Sequence, residues 1–179
     1  MENPEKKPNV GLNYGLVAGL IITLITLFQY LGGIDTYLSP VGFVSYLIIV
    51  TWAVLAALKV RKANEGFLEF SQALKVTFTV FVIAFLVQTI FTYILLNFID
   101  VSFKEAVAQE VMNKTEQMLK KMGMSDSQID EHFEAERKKD QFSLGRMALG
   151  YAITCIVSFI FCLLISLIVK RSKPAFNNF

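Results

Sequence analysis

Apolar and polar positions are not mixed evenly along this chain but segregated into blocks. Residues 10–31, 41–58, 76–99 and 147–169 contain no Asp, Glu, Lys, Arg or His, although together they make up 87 of the 179 residues. At the usual helical rise these blocks run about 27 to 36 Å, which matches a hydrocarbon core about 30 Å thick. A backbone inside lipid must satisfy its own polar groups, and a helix does so within one segment. The pattern therefore predicts an all-α membrane protein, a single membrane domain over 1–179 with four transmembrane helices. Four buried helices of a water-soluble protein are the alternative, but the rest of the chain is too short to cover that much apolar surface.

The connections carry their own signals. Ser39-Pro40 predicts the start of the second span, with serine as N-cap and proline at the first helical position. Asn64-Glu65-Gly66 reads as a turn, after which Phe67, Leu68, Phe70, Ala73 and Leu74 bring the chain back along the membrane interface. In the long connection over 100–146, Phe103, Val107, Val111, Met118 and Met122 recur at helical spacing among Lys, Glu and Gln. Gly123 suits a helix C-cap, and Ser125 with Gln128 forms a capping-box pattern that starts a second, more polar helix reaching about Asp140. We expect an amphipathic helical hairpin outside the membrane, either packed on its own bundle or offered to a protein partner.

Helices in lipid gain little from apolar contact, so small and hydrogen-bonding residues decide how they meet. The first span reads Gly11, Gly15, Gly19, Thr23 at four-residue spacing; the fourth reads Gly150, Thr154, Ser158, Cys162, Ser166. Each makes a smooth stripe expected to face another helix, and the two stripes could face each other. A homodimer face is the other packing that fits. Gln88 sits within the third span beside Thr89 and Thr92, and its amide needs a partner, either another helix or a polar path. Gln29, nearer the end of the first span, is expected to reach water.

Charge sets the expected orientation. Lys59, Arg61, Lys62, Lys75, Lys170, Arg171 and Lys173 join Lys6 and Lys7 on one side, while the short connection over 32–40 has no basic residue and the one over 100–146 offsets eight basic residues with ten acidic ones. Positive charge is retained in the cytoplasm during insertion, so both termini are expected there. Lys6-Lys7 before an apolar run resembles a signal peptide, yet 22 apolar residues exceed the usual central region and no small-residue cleavage site follows Leu31.

Composition removes several function classes. A net charge of +2 that comes from basic residues beside the spans, without interleaved aromatics, gives no stripe for nucleic acid. Cys155 and Cys162 lie about 10 Å apart along one helix and cannot bridge each other, and the lone His132 is remote in sequence from both thiols, so no metal or other cofactor is expected. Proton relays, ion coupling and voltage sensing rely on ionisable residues inside the spans, and none is there. Ser158 and Ser166 have no intramembrane base to activate them, so no enzyme is expected.

Ordered short motifs run through the chain: Tyr14-Gly15-Leu16; Gly66, Phe70 and Ala73-Leu74-Lys75; Asn97-Phe98-Ile99-Asp100; Met122-Gly123-Met124-Ser125-Asp126-Ser127-Gln128-Ile129; and Leu164 to Lys170. In these the chain resembles the bacterial membrane family catalogued as domain of unknown function 4199, over roughly residues 11–173. The resemblance implies a four-span protein of the bacterial cytoplasmic membrane and carries over no activity, cofactor or catalytic residue. Two functions remain: a non-catalytic scaffold or accessory subunit, acting through the hairpin or as a homo-oligomer, and an oligomeric conduit or carrier for a neutral or lipid-like solute.

Overall fold

A computed structural model of the chain describes residues 9–137 and 140–173, without the side chains of residues 132 and 135–137. Lys6, Lys7 and the His132 side chain, all weighed above, lie outside the described residues. Among the described residues the chain forms α1 (Val10–Leu31), α2 (Ile34–Tyr37), α3 (Gly42–Ala63), α4 (Phe70–Ile94), α5 (Val101–Lys121), α6 (Asp126–Arg137) and α7 (Leu144–Val169). A π-helical turn, Leu95–Ile99, prolongs α4. Four helices are long and apolar enough to cross a membrane: α1, α3, α4 with its π turn, and α7. The most apolar window of α7 has a mean hydropathy of 2.9, yet only 22% of it is buried within the chain. A helix that remains apolar on its outer face is matched to lipid rather than to water.

α4 is the hub, packing against α1, α3 and α7. α1 runs beside it in the same direction: Gly11 lies against Val76 and Thr79, Gly15 against Val80 and Ile83, and Gly19 against Ala84 and Val87. α7 runs the opposite way, with Ser166 Oγ 3.3 Å from Thr77 Oγ1. α3 brings the small face Ala53, Ala56 and Ala57 into the shared core. At the end of the bundle holding both termini, the backbones of Leu68 and Arg171 exchange two N–H···O bonds of 2.8 Å, which ties the α3–α4 connection to the residues after α7.

The structure corrects several boundaries. Ser39 does not cap the second span: its hydroxyl donates to the Thr36 carbonyl at 2.6 Å, and α3 begins at Gly42 after turns closed by Phe43 N–H to Pro40 O and Val44 N–H to Val41 O. The hydroxyl is taken by the end of α2, a helical turn not expected in the first connection. Phe70 to Leu74 are not a separate interfacial segment but the opening of α4, so the third span begins six residues earlier than the apolar block. α3 likewise runs on through its basic flank to Ala63.

Between the third and fourth spans, Asp100 caps α5 by accepting the Phe103 N–H at 2.8 Å. α5 ends in paired bonds from Gly123 N–H to Lys120 O and from Met124 N–H to Leu119 O. This closure needs a left-handed residue, supplied by Gly123 at φ 87°. The capping box beyond it is half formed. Gln128 reaches back to the Ser125 N–H at 3.0 Å, but the Ser125 hydroxyl bonds side chains instead of the Gln128 N–H.

Candidate functional site

Because α3 and α7 both pack on α4 but touch each other only lightly, a cleft of 590 Å³ remains between them. It opens at the end of the bundle away from the termini. Gln29 of α1, Ser45 and Tyr46 of α3, Gln88, Thr89 and Thr92 of α4, and Gly150, Tyr151 and Thr154 of α7 line it, with Gln141, Phe142 and Arg146 at the mouth. Arg146 is the one charged residue of the lining and is engaged in an interaction within the chain. Sharing Phe43 and Tyr46 with this cleft is a second hollow of 350 Å³, lined otherwise by Leu47, Val50, Phe81, Val157 and Phe161. A cleft carrying several polar side chains thus meets an almost wholly apolar groove between α3 and α7.

Gln88 both joins helices and forms the cleft wall. Its Nε2 donates to Thr26 Oγ1 at 3.1 Å, and Thr26 passes its own proton to the Ile22 carbonyl at 3.0 Å. The Gln88 carbonyl oxygen has no hydrogen-bond partner among the described residues. Gln29 corrects its expectation: rather than reaching bulk water it is only 7% exposed, facing the cleft. Its side-chain amide and the hydroxyl of Ser45, 4% exposed, make no hydrogen bond among the described residues. Buried polar groups are nearly always paired, so such groups on a cleft wall call for an occupant, whether water or ligand. Tyr151 completes the wall by donating to the Val82 carbonyl at 3.1 Å.

The two small-residue stripes do not face each other, because α4 stands between them. The α1 stripe is filled by the β-branched ridge Thr79, Ile83 and Val87, repeated at the same four-residue spacing. The α7 stripe divides. Ser158, Cys162 and Ser166 are buried, whereas Gly150 and Thr154 line the cleft. The Ser158 and Thr23 hydroxyls are buried without partners.

Polar contacts shape the rim of the cleft. Asn97 donates to the Tyr93 and Phe142 carbonyls at 3.1 and 3.0 Å, and Lys104 pairs with Asp140 at 3.1 Å. The Phe142 N–H, and then Lys104, hold the Asp140 carboxyl below its ordinary value. Tyr30 donates to Asp100 at 2.9 Å, and its ring meets Phe103 edge-on at 4.8 Å. Burial pushes the Tyr37 phenol up, against an opposing hydrogen bond to Thr92.

Sequence reasoning missed Gln29, Ser45 and the groove. The signal was present: Gln29, Ser45, Gln88, Thr89, Thr92 and Thr154 all fall in the half of their spans nearest the 100–146 connection once neighbouring spans alternate in direction. Polar residues gathered at one depth mark a wet pocket better than any one of them alone.

No curated protein and no solved structure matches the chain. A family model, described as protein of unknown function (DUF4199), matches residues 13–171. With that match covering nearly all of the chain and its four apolar helices, the chain belongs to the DUF4199 family.

Proposed function

We propose that the protein is a non-catalytic, multi-pass protein of the bacterial cytoplasmic membrane that binds and carries a lipid-like solute. The observation carrying this reading is the 590 Å³ cleft, with amide and hydroxyl groups in its wall, adjoining an apolar groove, since an amphiphile needs both environments side by side. Among the described residues, the hydroxyls of the lining have no His, Lys, Asp or Glu beside them in the cleft to act as base, which supports the non-catalytic reading. The small-residue stripes that suggested a helix-docking face for a scaffold are largely used inside the chain, which leaves the α5–α6 hairpin as the face such a role would use.

In this reading both termini are cytoplasmic, and the α5–α6 hairpin caps the opposite face. The cleft then draws its solute from the outer leaflet. Protein purified in mild detergent and washed with excess detergent should retain lipid detectable by native mass spectrometry. Val157→Trp, which fills the groove from a lipid-facing position, should release it. Chains without retained lipid, or retention indifferent to that substitution, would count against a binding role.

A further inference from the structure

The chemistry of the cleft wall narrows the solute further, on the basis of the proposed carrier reading. In its deep part the cleft offers Gln29, Ser45, Gln88 and Thr89, every one uncharged. Two of these residues, Gln29 and Ser45, are more than nine-tenths buried, and their side chains, which line the cleft, make no hydrogen bond among the described residues. The Gln88 carbonyl adds an unused acceptor. Between them these groups both donate and accept, so they complement a head that does the same, such as a hydroxyl beside an ester carbonyl.

A phosphate or carboxylate is a poor match. Moving an ion from water to the buried wall of the cleft is costly without a counter-charge, and neutral amides and hydroxyls supply none. Arg146, the charged residue of the lining, has an interaction of its own within the chain. The remainder of the occupant is dictated by the groove, where Phe43, Tyr46, Val50, Phe81, Val157 and Phe161 present a surface fit for hydrocarbon. That groove is open sideways to lipid, since Phe43 is 72% and Val157 44% exposed. A molecule can enter it from the membrane with its chain already in oil.

We infer that the site takes a neutral lipid of the monoacylglycerol or diacylglycerol class: the uncharged hydroxyl and ester head hydrogen-bonds Gln29, Ser45 and Gln88, and one acyl chain lies in the α3–α7 groove. The head lies against the cleft wall, nearer the mouth than the chain does, and the chain points toward the membrane centre, the orientation such a lipid already has in a leaflet. Entry therefore needs a sideways step and no inversion.

The test uses the full chain in lipid nanodiscs with a monoacylglycerol carrying a photoreactive diazirine in its acyl chain. Unlabelled monoacylglycerol, the fatty acid of the same length at pH 8 and the corresponding alkane serve as competitors. Saturable labelling of α3 and α7 peptides is expected, displaced by monoacylglycerol at a concentration at least about tenfold below that needed of the fatty acid, a difference of about 1.4 kcal/mol. Gln29→Leu and, separately, Ser45→Val should erase most of that preference while leaving chain-dependent labelling. Thr89→Val serves as the readout should either variant fail to fold. Ile168→Trp, on the outer face of α7 at 81% exposure, should change nothing. If the fatty acid competes equally, or the polar variants keep the preference, the neutral-head assignment falls and the carrier reading stands. Labelling that does not saturate and spreads over all four spans overturns both.

Discussion

Gly15 shows how little room a membrane interface leaves at one residue. A Cβ built there would lie 2.8 Å from the Cβ of Ile83, closer than packed atoms allow, and Gly11 and Gly19 are nearly as tight against Thr79 and Val87. The neighbour is a β-branched side chain held by its own helix, so relief requires α1 and α4 to move apart. Gly15→Ala should therefore lower stability by about 1–3 kcal/mol, seen as a lower midpoint in a detergent thermal-unfolding assay, and Gly15→Leu should lower it further. Gly150, with open space where its Cβ would be, is the control, and Gly150→Ala should shift stability by less than about 0.5 kcal/mol. Equal effects at both positions would contradict the α1–α4 contact. The smooth stripe was legible in the sequence because four-residue spacing defines a helix face. Its partner was not, because any ridge of matching period could fill it, and the Thr79-Ile83-Val87 ridge gained meaning only when set beside the stripe.

At the scale of elements, the apolar blocks located four helices but not their ends, since an end is decided by local hydrogen bonds. Gly123 acts as its position suggested and Asp100 supplies an N-cap that was not anticipated, whereas Ser39 gives its hydroxyl to Thr36 and leaves α3 without a side-chain cap. The π turn had no sequence signature. It is closed by the Asp100 N–H bonding the Leu95 carbonyl at 2.9 Å, next to Asn97, whose side chain reaches across to Phe142. The start of α7 hangs on a related contact, the Asp140 carboxylate accepting the Phe142 N–H at 2.9 Å. Because the folded state holds this carboxyl below its ordinary 3.8, its contribution is complete above that value and is lost as pH falls through the lower folded value. Hydrogen exchange at the Phe142 amide, corrected for the intrinsic rate, should stay protected from neutral pH down to about 4 and lose protection below. Asp140→Ala should lack it throughout. Equal protection in Asp140→Ala and the unaltered protein at neutral pH would mean that the carboxylate does not hold this turn.

For the whole molecule, the decisive asymmetry lies between the two ends of the bundle. One end gathers Lys59, Arg61, Lys62, Lys75, Lys170, Arg171 and Lys173, with Lys59 over the Tyr14 ring and Lys173 over the Phe67 ring, and is closed by the Leu68–Arg171 pair. The other end is where α3 and α7 part and the cleft opens. In the orientation proposed above, which rests on retention of positive charge in the cytoplasm, the basic end is cytoplasmic, the cleft and its groove face the outer leaflet, and α5 stands beyond the membrane on that side. This fixes a labelling pattern. In intact cells an impermeant maleimide should react with a cysteine at Met118, an exposed position of α5, and not with one at Arg61 until the membrane is permeabilised. The native thiols should give little background, since Cys162 is buried and Cys155 half-buried within the fourth span. The reverse pattern, Arg61→Cys labelled first and Met118→Cys protected, would turn the molecule over. The cleft would then open to the inner leaflet, and the solute would have to be drawn from the cytoplasmic side.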